Sequence, residues 1–191
     1  MDNLAPERLI KDFARVVQDL TLGVCVSPEN GNFLLWNGVM FGPTGTPYED
    51  GTFKIQLEFT KEYPTTPPVV RFMSKMFHPN VHVSGIISID ILDKKWSHMH
   101  DVAYLLMTIQ SVLKEPNLSL ATNAEAATLF VKNRMEYDRR VSETVQWSWN
   151  HNPDDDENVS ENEYENDVEE LQNIITCCLK YNPKLYYSTN N

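Results

Sequence analysis

Between Thr52 and Phe59 the chain alternates strictly: Phe53, Ile55, Leu57 and Phe59 point one way, Thr52, Lys54, Gln56 and Glu58 the other. A period of two predicts a strand in a sheet with one covered face. Upstream, Leu9, Phe13, Val16, Val17 and Leu20 recur at helical spacing, with Arg8, Lys11 and Arg15 off the stripe and Pro6 in the first turn. Asn30-Gly31 sits between two apolar runs and signals a hairpin, with residues 33–41 strand-like. Val69 to Met73 reads as a short third strand, after a Pro64–Pro68 turn in which proline forbids regular pairing. Downstream, Val102, Leu105, Leu106, Ile109, Val112 and Leu113 form a helical stripe, with Asp101 as its N-cap and Pro116 as its stop. Asn123 is placed to cap a short helix through Phe130, and Asn133 a further one carrying Tyr137, Val141 and Val145 on one side. Helix, strands, irregular loop, helices: the order predicts an α+β fold.

The pattern changes near Pro153. Residues 151–191 carry ten Asp and Glu against Lys180 and Lys184, a net −8 out of −11 for the chain, which leaves −3 for residues 1–150. We therefore expect a core domain over 1–150 and an acidic, asparagine-rich tail over 151–191. Ser160 with Glu163 makes a capping-box pattern, and Tyr164, Val168, Leu171, Ile175 and Cys178 follow helical spacing, so one amphipathic helix is expected at about 161–180. An acidic tail suits a basic partner such as a histone, or serves as a solubilising extension. The charge argues against direct nucleic-acid binding, which needs a basic face. No run of 18 apolar residues occurs, so no membrane span is expected, and the first residues lack a secretory pattern. Three cysteines, Cys25, Cys177 and Cys178, have no framework spacing, which points to a reducing compartment, cytoplasm or nucleus.

The residues between the sheet and the second helix, Phe77 to Leu92, have no clean period, and Pro79 and Gly85 interrupt any element. Irregular loops of this kind need a fixed scaffold and often carry sites. Ser88 with His78 or His82 and Asp90 has the residue types of a hydrolase triad, but triads are defined by geometry, and the Gly-x-Ser-x-Gly elbow is absent. His78 and His82, or His98 and His100, suggest zinc only weakly, because no cysteine accompanies them, and no metal is expected.

Phe77-His78-Pro79-Asn80, then Gly85, an apolar run, Asp90-Ile91-Leu92 and Trp96 resemble the active-site segment of ubiquitin-conjugating enzymes. The resemblance covers roughly residues 5–150. It includes Trp36-Asn37, Gly42-Pro43, Gly45 to Phe53, Glu62-Tyr63-Pro64, Pro67-Pro68 and Ser148-Trp149. The branch most resembled works in DNA repair and protein degradation, and some of its members carry acidic tails. The resemblance implies an N-terminal helix, a four-stranded antiparallel meander and C-terminal helices. It also implies a relay in which ubiquitin, activated by an ATP-driven enzyme, is held as a thioester and passed to a substrate lysine, usually with a ligase. The conjugating enzyme itself binds no cofactor; ATP is used only by the upstream activating enzyme.

The family's nucleophilic cysteine is implied at the position of Ser88. A lone hydroxyl needs an adjacent base to act as nucleophile, whereas a useful fraction of a thiol is thiolate near neutral pH. Asn80 matches an asparagine that stabilises the oxyanion, and the same side chain braces the loop through backbone bonds. Asp90 matches an acid near the incoming lysine; its alternative is a loop-capping aspartate. Leu120 falls where a small polar residue lines the lysine's approach, beside Asn123. Arg8, Lys11, Thr65, Ser97 and His98 fall on the surfaces used towards the activating enzyme and the ligase. Ser84, Ile86, His98, Leu118, Ala121 and Pro6-Glu7 depart from the branch's usual residues. Three readings follow. The chain is a catalytically impaired variant that binds ubiquitin, a ligase or an active conjugating enzyme; or it forms an oxyester slowly on Ser88; or it is an active enzyme whose cysteine has been substituted.

Overall fold

The alternating stretch lies in the middle of the fold. In the computed structural model, which describes residues 4–19 and 23–149, it forms β3 (Thr52–Glu58), and the exposure of its side chains alternates as the sequence requires. β3 pairs antiparallel with β2 (Asn32–Phe41), which pairs with β1 (Val24–Glu29), while β4 (Val69–Phe72) closes the other side, giving a meander of order β1-β2-β3-β4. The Asn30-Gly31 turn joins β1 to β2, with Gly31 at a φ of 82°. The third strand anticipated at 69–73 is thus the fourth, because the first arm of the hairpin is itself a full strand. In register, Met40 faces Phe53 and Ile55 faces Phe72, so their side chains point to one face.

Among the described residues four α-helices pack with the sheet: α1 (Leu4–Gln18), α2 (Val102–Lys114), α3 (Ala124–Lys132) and α4 (Arg134–Trp149). Phe53, Ile55, Leu57 and Phe59 share one core with Leu105, Leu106 and Ile109 of α2 and Leu9 and Val16 of α1. Trp36 is fully buried there, with Phe13 edge-on at 5.5 Å and Phe59 at 5.1 Å. The caps sit where polar residues precede apolar periods: Asp101 accepts from the Tyr104 N–H (2.8 Å), Asn123 from Ala126 (3.0 Å) and Asn133 from Glu136 (3.2 Å). α4 buries Tyr137, Val141 and Val145, and its end is fastened to the β2–β3 corner. There Ser148 Oγ accepts from the Thr52 N–H (3.0 Å) and Trp149 Nε1–H donates to the Asp50 carbonyl (2.7 Å). The 151–191 tail with its expected 161–180 helix, and Leu20 of the first stripe, lie outside the described residues.

Candidate functional site

The segment from Phe77 to Leu92 is irregular but fully tied down. Tyr48 OH donates to the Phe77 carbonyl (2.7 Å) and lies 2.8 Å from Tyr137 OH. Burial pushes both phenols up, Tyr137 to about 12 and Tyr48 well above its usual value, so both stay protonated. His78 is completely buried. Its Nδ1 accepts from the Asn80 N–H (2.9 Å), and its Nε2 lies 3.0 Å from the Val112 carbonyl, to which only an N–H can bond. The ring is therefore the neutral Nε2–H form, and burial holds its pKa down at about 4 against the Val112 bond.

Asn80, also fully buried, clamps a second loop. Its Nδ2–H donates to the Asn117 carbonyl and its Oδ1 accepts from the Asn117 N–H, both at 2.8 Å. The Pro79 carbonyl accepts from Thr122 (2.9 Å) and Asn123 (3.1 Å), so residues 78–80 and 117–123 form one rigid unit. Leu118–Leu120 is a 3-10 turn on this loop, which leaves Leu120 half-buried and Asn123 occupied as the α3 cap.

Ser88 hangs from the same unit. Its N–H donates to the Asn80 carbonyl (2.9 Å), and its neighbours Ile86 and Ile87 bridge to Arg71 and Val81. Gly85 makes the turn possible: its φ is +82°, and a Cβ there would lie 1.9 Å from the Phe72 carbonyl oxygen. Ser88 is half-buried, and its hydroxyl makes no hydrogen bond to any described residue. Ile87 and Ile89 point into the core, so of the apolar run only Ile86 faces outward beside Ser88.

The triad arrangement is not formed. His78 is bonded to Val112 and Asn80, His82 Nδ1 sits 2.8 Å from Ser84 Oγ, and the Asp90 carboxylate accepts from Lys95 Nζ (2.5 Å). Asp90 opens a 3-10 turn (Asp90–Leu92), and its carboxylate is paired with Lys95 Nζ. Among the described residues no group of three or more His, Cys, Asp or Glu could hold a metal.

The residues assigned to docking do converge. Trp96 Nε1–H donates to the Pro64 carbonyl (2.9 Å), which fixes the 62–66 turn, with exposed Thr65, against the 96–100 loop, with Ser97 and exposed His98. Arg8 reaches the same loop from α1: its guanidinium donates to the carbonyls of His98 (2.8 Å) and His100 (2.6 Å) and to Asp12 Oδ1 (2.8 Å). Arg8 thus holds this surface together from within, and Lys11, three residues further along α1, is exposed.

Comparison with known proteins adds the decisive observation. The family model for ubiquitin-conjugating enzymes matches residues 8–145. The chain belongs to the ubiquitin-conjugating enzyme family. It is 51% identical over 142 residues to ubiquitin-conjugating enzyme E2 1 of Caenorhabditis elegans, covering 74% of each chain. It is 49% identical over 150 residues to ubiquitin-conjugating enzyme E2 2 of Debaryomyces hansenii, covering 78% of this chain and 89% of the relative. Among solved structures, a Toxoplasma gondii ubiquitin conjugating enzyme E2 domain superposes with a TM-score of 0.68 at 31% identity, over 74% of this chain and 97% of that one.

Within this family member several structural residues had no distinct sequence signal. Asp12 is buried in α1, satisfied by Arg8 and by Tyr63 OH (2.5 Å). Asn117 reaches Asn80 across 37 residues of chain and Tyr48 reaches Phe77 across 29, while Tyr137 supports Tyr48 across 89. Lys95, by contrast, is five residues from Asp90, and its opposite charge on a short loop was a usable signal.

Proposed function

We propose that this chain is a catalytically impaired member of the ubiquitin-conjugating enzyme family, retained for binding ubiquitin, a ligase or an active conjugating enzyme. Ser88 stands where the family's nucleophilic cysteine is implied. The observation that carries the reading is the isolation of the Ser88 hydroxyl. No base lies within hydrogen-bond reach of it among the described residues, and both nitrogens of the buried His78 are engaged elsewhere. A hydroxyl without a base is a weak nucleophile. The scaffold around it is intact, from the Asn80–Asn117 clamp to the joined 62–66 and 96–100 loops, which is what a binding role requires.

The test is incubation of the full chain with activating enzyme, ATP and ubiquitin, with and without thiol reductant, together with a ubiquitin titration followed by amide chemical shifts. The expected result is no reductant-sensitive adduct and saturable shift changes. A reductant-sensitive adduct would overturn the loss of activity, and a chain that binds neither ubiquitin, ligase nor active conjugating enzyme would overturn the binding role.

A further inference from the structure

The last turn of α4 leaves two large rings in solvent. Trp147 and Trp149 are 44% and 55% exposed, and Met73, just past β4, is 56% exposed. These residues gather at one corner of the fold. Ser148 Oγ accepts from the Thr52 N–H, the Met73 N–H donates to the Lys54 carbonyl (2.9 Å), and Lys75 Nζ lies 4.5 Å from the centre of the Trp147 ring. Arg71 faces Gln56 in the β3–β4 register, so Arg71 and Lys54 share the outer face of the sheet with Met73. Among the described residues neither Arg71 nor Lys75 is paired with a carboxylate. Asp50 lies at the rim, its carbonyl accepting from Trp149 Nε1–H (2.7 Å). The corner is therefore apolar and cationic at once, and the described residues end on it, at Trp149.

The acidic tail leaves from this corner, and its charge is concentrated next to it. Residues 154–170 hold all ten Asp and Glu of the tail and neither of its lysines. Asp154 is five residues past Trp149, a span of at most about 17 Å, so Asp154, Asp155, Asp156 and Glu157 start within reach of Lys75. Beyond them Tyr164, Val168, Leu171, Ile175 and Cys178 repeat at helical spacing and supply an apolar side to meet the two indoles and Met73. We propose that residues 154–178 dock on this corner of their own chain, the acidic run against Lys75 and Arg71, the apolar stripe against Met73, Trp147 and Trp149. Exposed ion pairs are individually weak, but a tether this short keeps the segment at a high effective concentration, so several of them suffice together. A basic partner that takes up the tail then has to displace it, and in doing so uncovers both indoles.

The test is paramagnetic broadening in the full chain, with a nitroxide on Cys178 after Cys25→Ser and Cys177→Ser. Undocked, the chain between Trp149 and the label would keep it about 30 Å away on average. Docking should instead cause selective loss of the amide signals of residues 71–75 and 147–149 and of the Trp147 and Trp149 indole N–H signals. The signals should return at about 1 M salt, where screening acts within about 3 Å. They should also return when Asp154→Asn, Asp155→Asn, Asp156→Asn and Glu157→Gln are combined, changes that leave the core untouched. Arg71→Glu with Lys75→Glu should release the tail in the same way, and replacing residues 154–157 by lysine in that background should restore the broadening. The proposal is overturned if the broadening falls elsewhere or nowhere, or if neutralising residues 154–157 leaves it unchanged. It is equally overturned if labelled chains broaden these signals in unlabelled chains mixed with them, which would make the occupant a second copy.

Discussion

The Asn80 side chain and the Asn117 backbone are joined by two hydrogen bonds of 2.8 Å each, one in each direction. This pairing makes the His-Pro-Asn turn and the 117–123 loop a single unit. Asn80→Ala would leave both Asn117 backbone groups without their partners, at a cost of about 1–3 kcal/mol. We expect a lower thermal midpoint and faster amide hydrogen exchange concentrated in residues 117–123. Exchange that rises evenly over the domain, or not at all, would contradict the clamp.

Stability should fall with acidity through His78. Its folded pKa is about 4, held down by burial, against an ordinary value of 6.5. Above pH 6.5 both folded and unfolded chains carry the neutral ring, and its contribution to stability is fully present. Between 6.5 and about 4 the unfolded chain takes up a proton that the folded chain refuses, so stability is lost as pH falls, by up to on the order of 3 kcal/mol. Proton NMR should show one histidine titrating near pH 4 in the folded protein. A His78 midpoint at 6 or above would show that the ring is not the neutral, doubly bonded group described.

Gly85→Ala should be costly although it adds one methyl group. The backbone there has a φ of +82°, and the new Cβ would meet the Phe72 carbonyl oxygen at 1.9 Å. Left-handed strain alone amounts to about 1–3 kcal/mol for a non-glycine residue, and the clash adds to it. A urea midpoint equal to the parent's would mean that the turn is built differently.

Phe53→Ala tests the sheet assignment. Phe53 is fully buried, edge-on to Tyr48 at 6.1 Å and to Phe72 at 6.4 Å. Its truncation should cost about 3–5 kcal/mol, visible as a large drop in denaturation midpoint; unchanged melting would rule out this packing.

How legible the molecule is from its sequence depends on how far apart the interacting residues lie. The β3 alternation, the α2 stripe and the caps Asp101, Asn123 and Asn133 are local patterns, and each appears in the structure where the residues put it. Asp12 is the opposite case: a carboxylate among helix positions reads as surface, and it is buried only because Tyr63, 51 residues away, and Arg8 satisfy it. The apolar run around Ser88 carries no period of its own, and it is the bridging to Arg71 and Val81 that goes with Ile87 in the core and Ile86 outward. Asn80 is legible as a brace, yet sequence does not name its partner Asn117, since backbone groups leave no mark there. The isolation of the Ser88 hydroxyl, on which the proposed function rests, is likewise a fact of three dimensions.

The most direct test of the proposed loss of catalysis compares the unaltered chain with Ser88→Cys by intact mass after incubation with activating enzyme, ATP and ubiquitin, beside an active family member. The unaltered chain should form no reductant-sensitive adduct. Ser88→Cys should form one, more slowly than the active member, because Ile86 beside residue 88 and Leu120 on the clamped loop are apolar, and apolar surroundings raise a thiol's pKa. Discharge to free lysine should remain poor. An unaltered chain that charges, or a Ser88→Cys variant that charges and discharges as fast as the active member, would contradict the account.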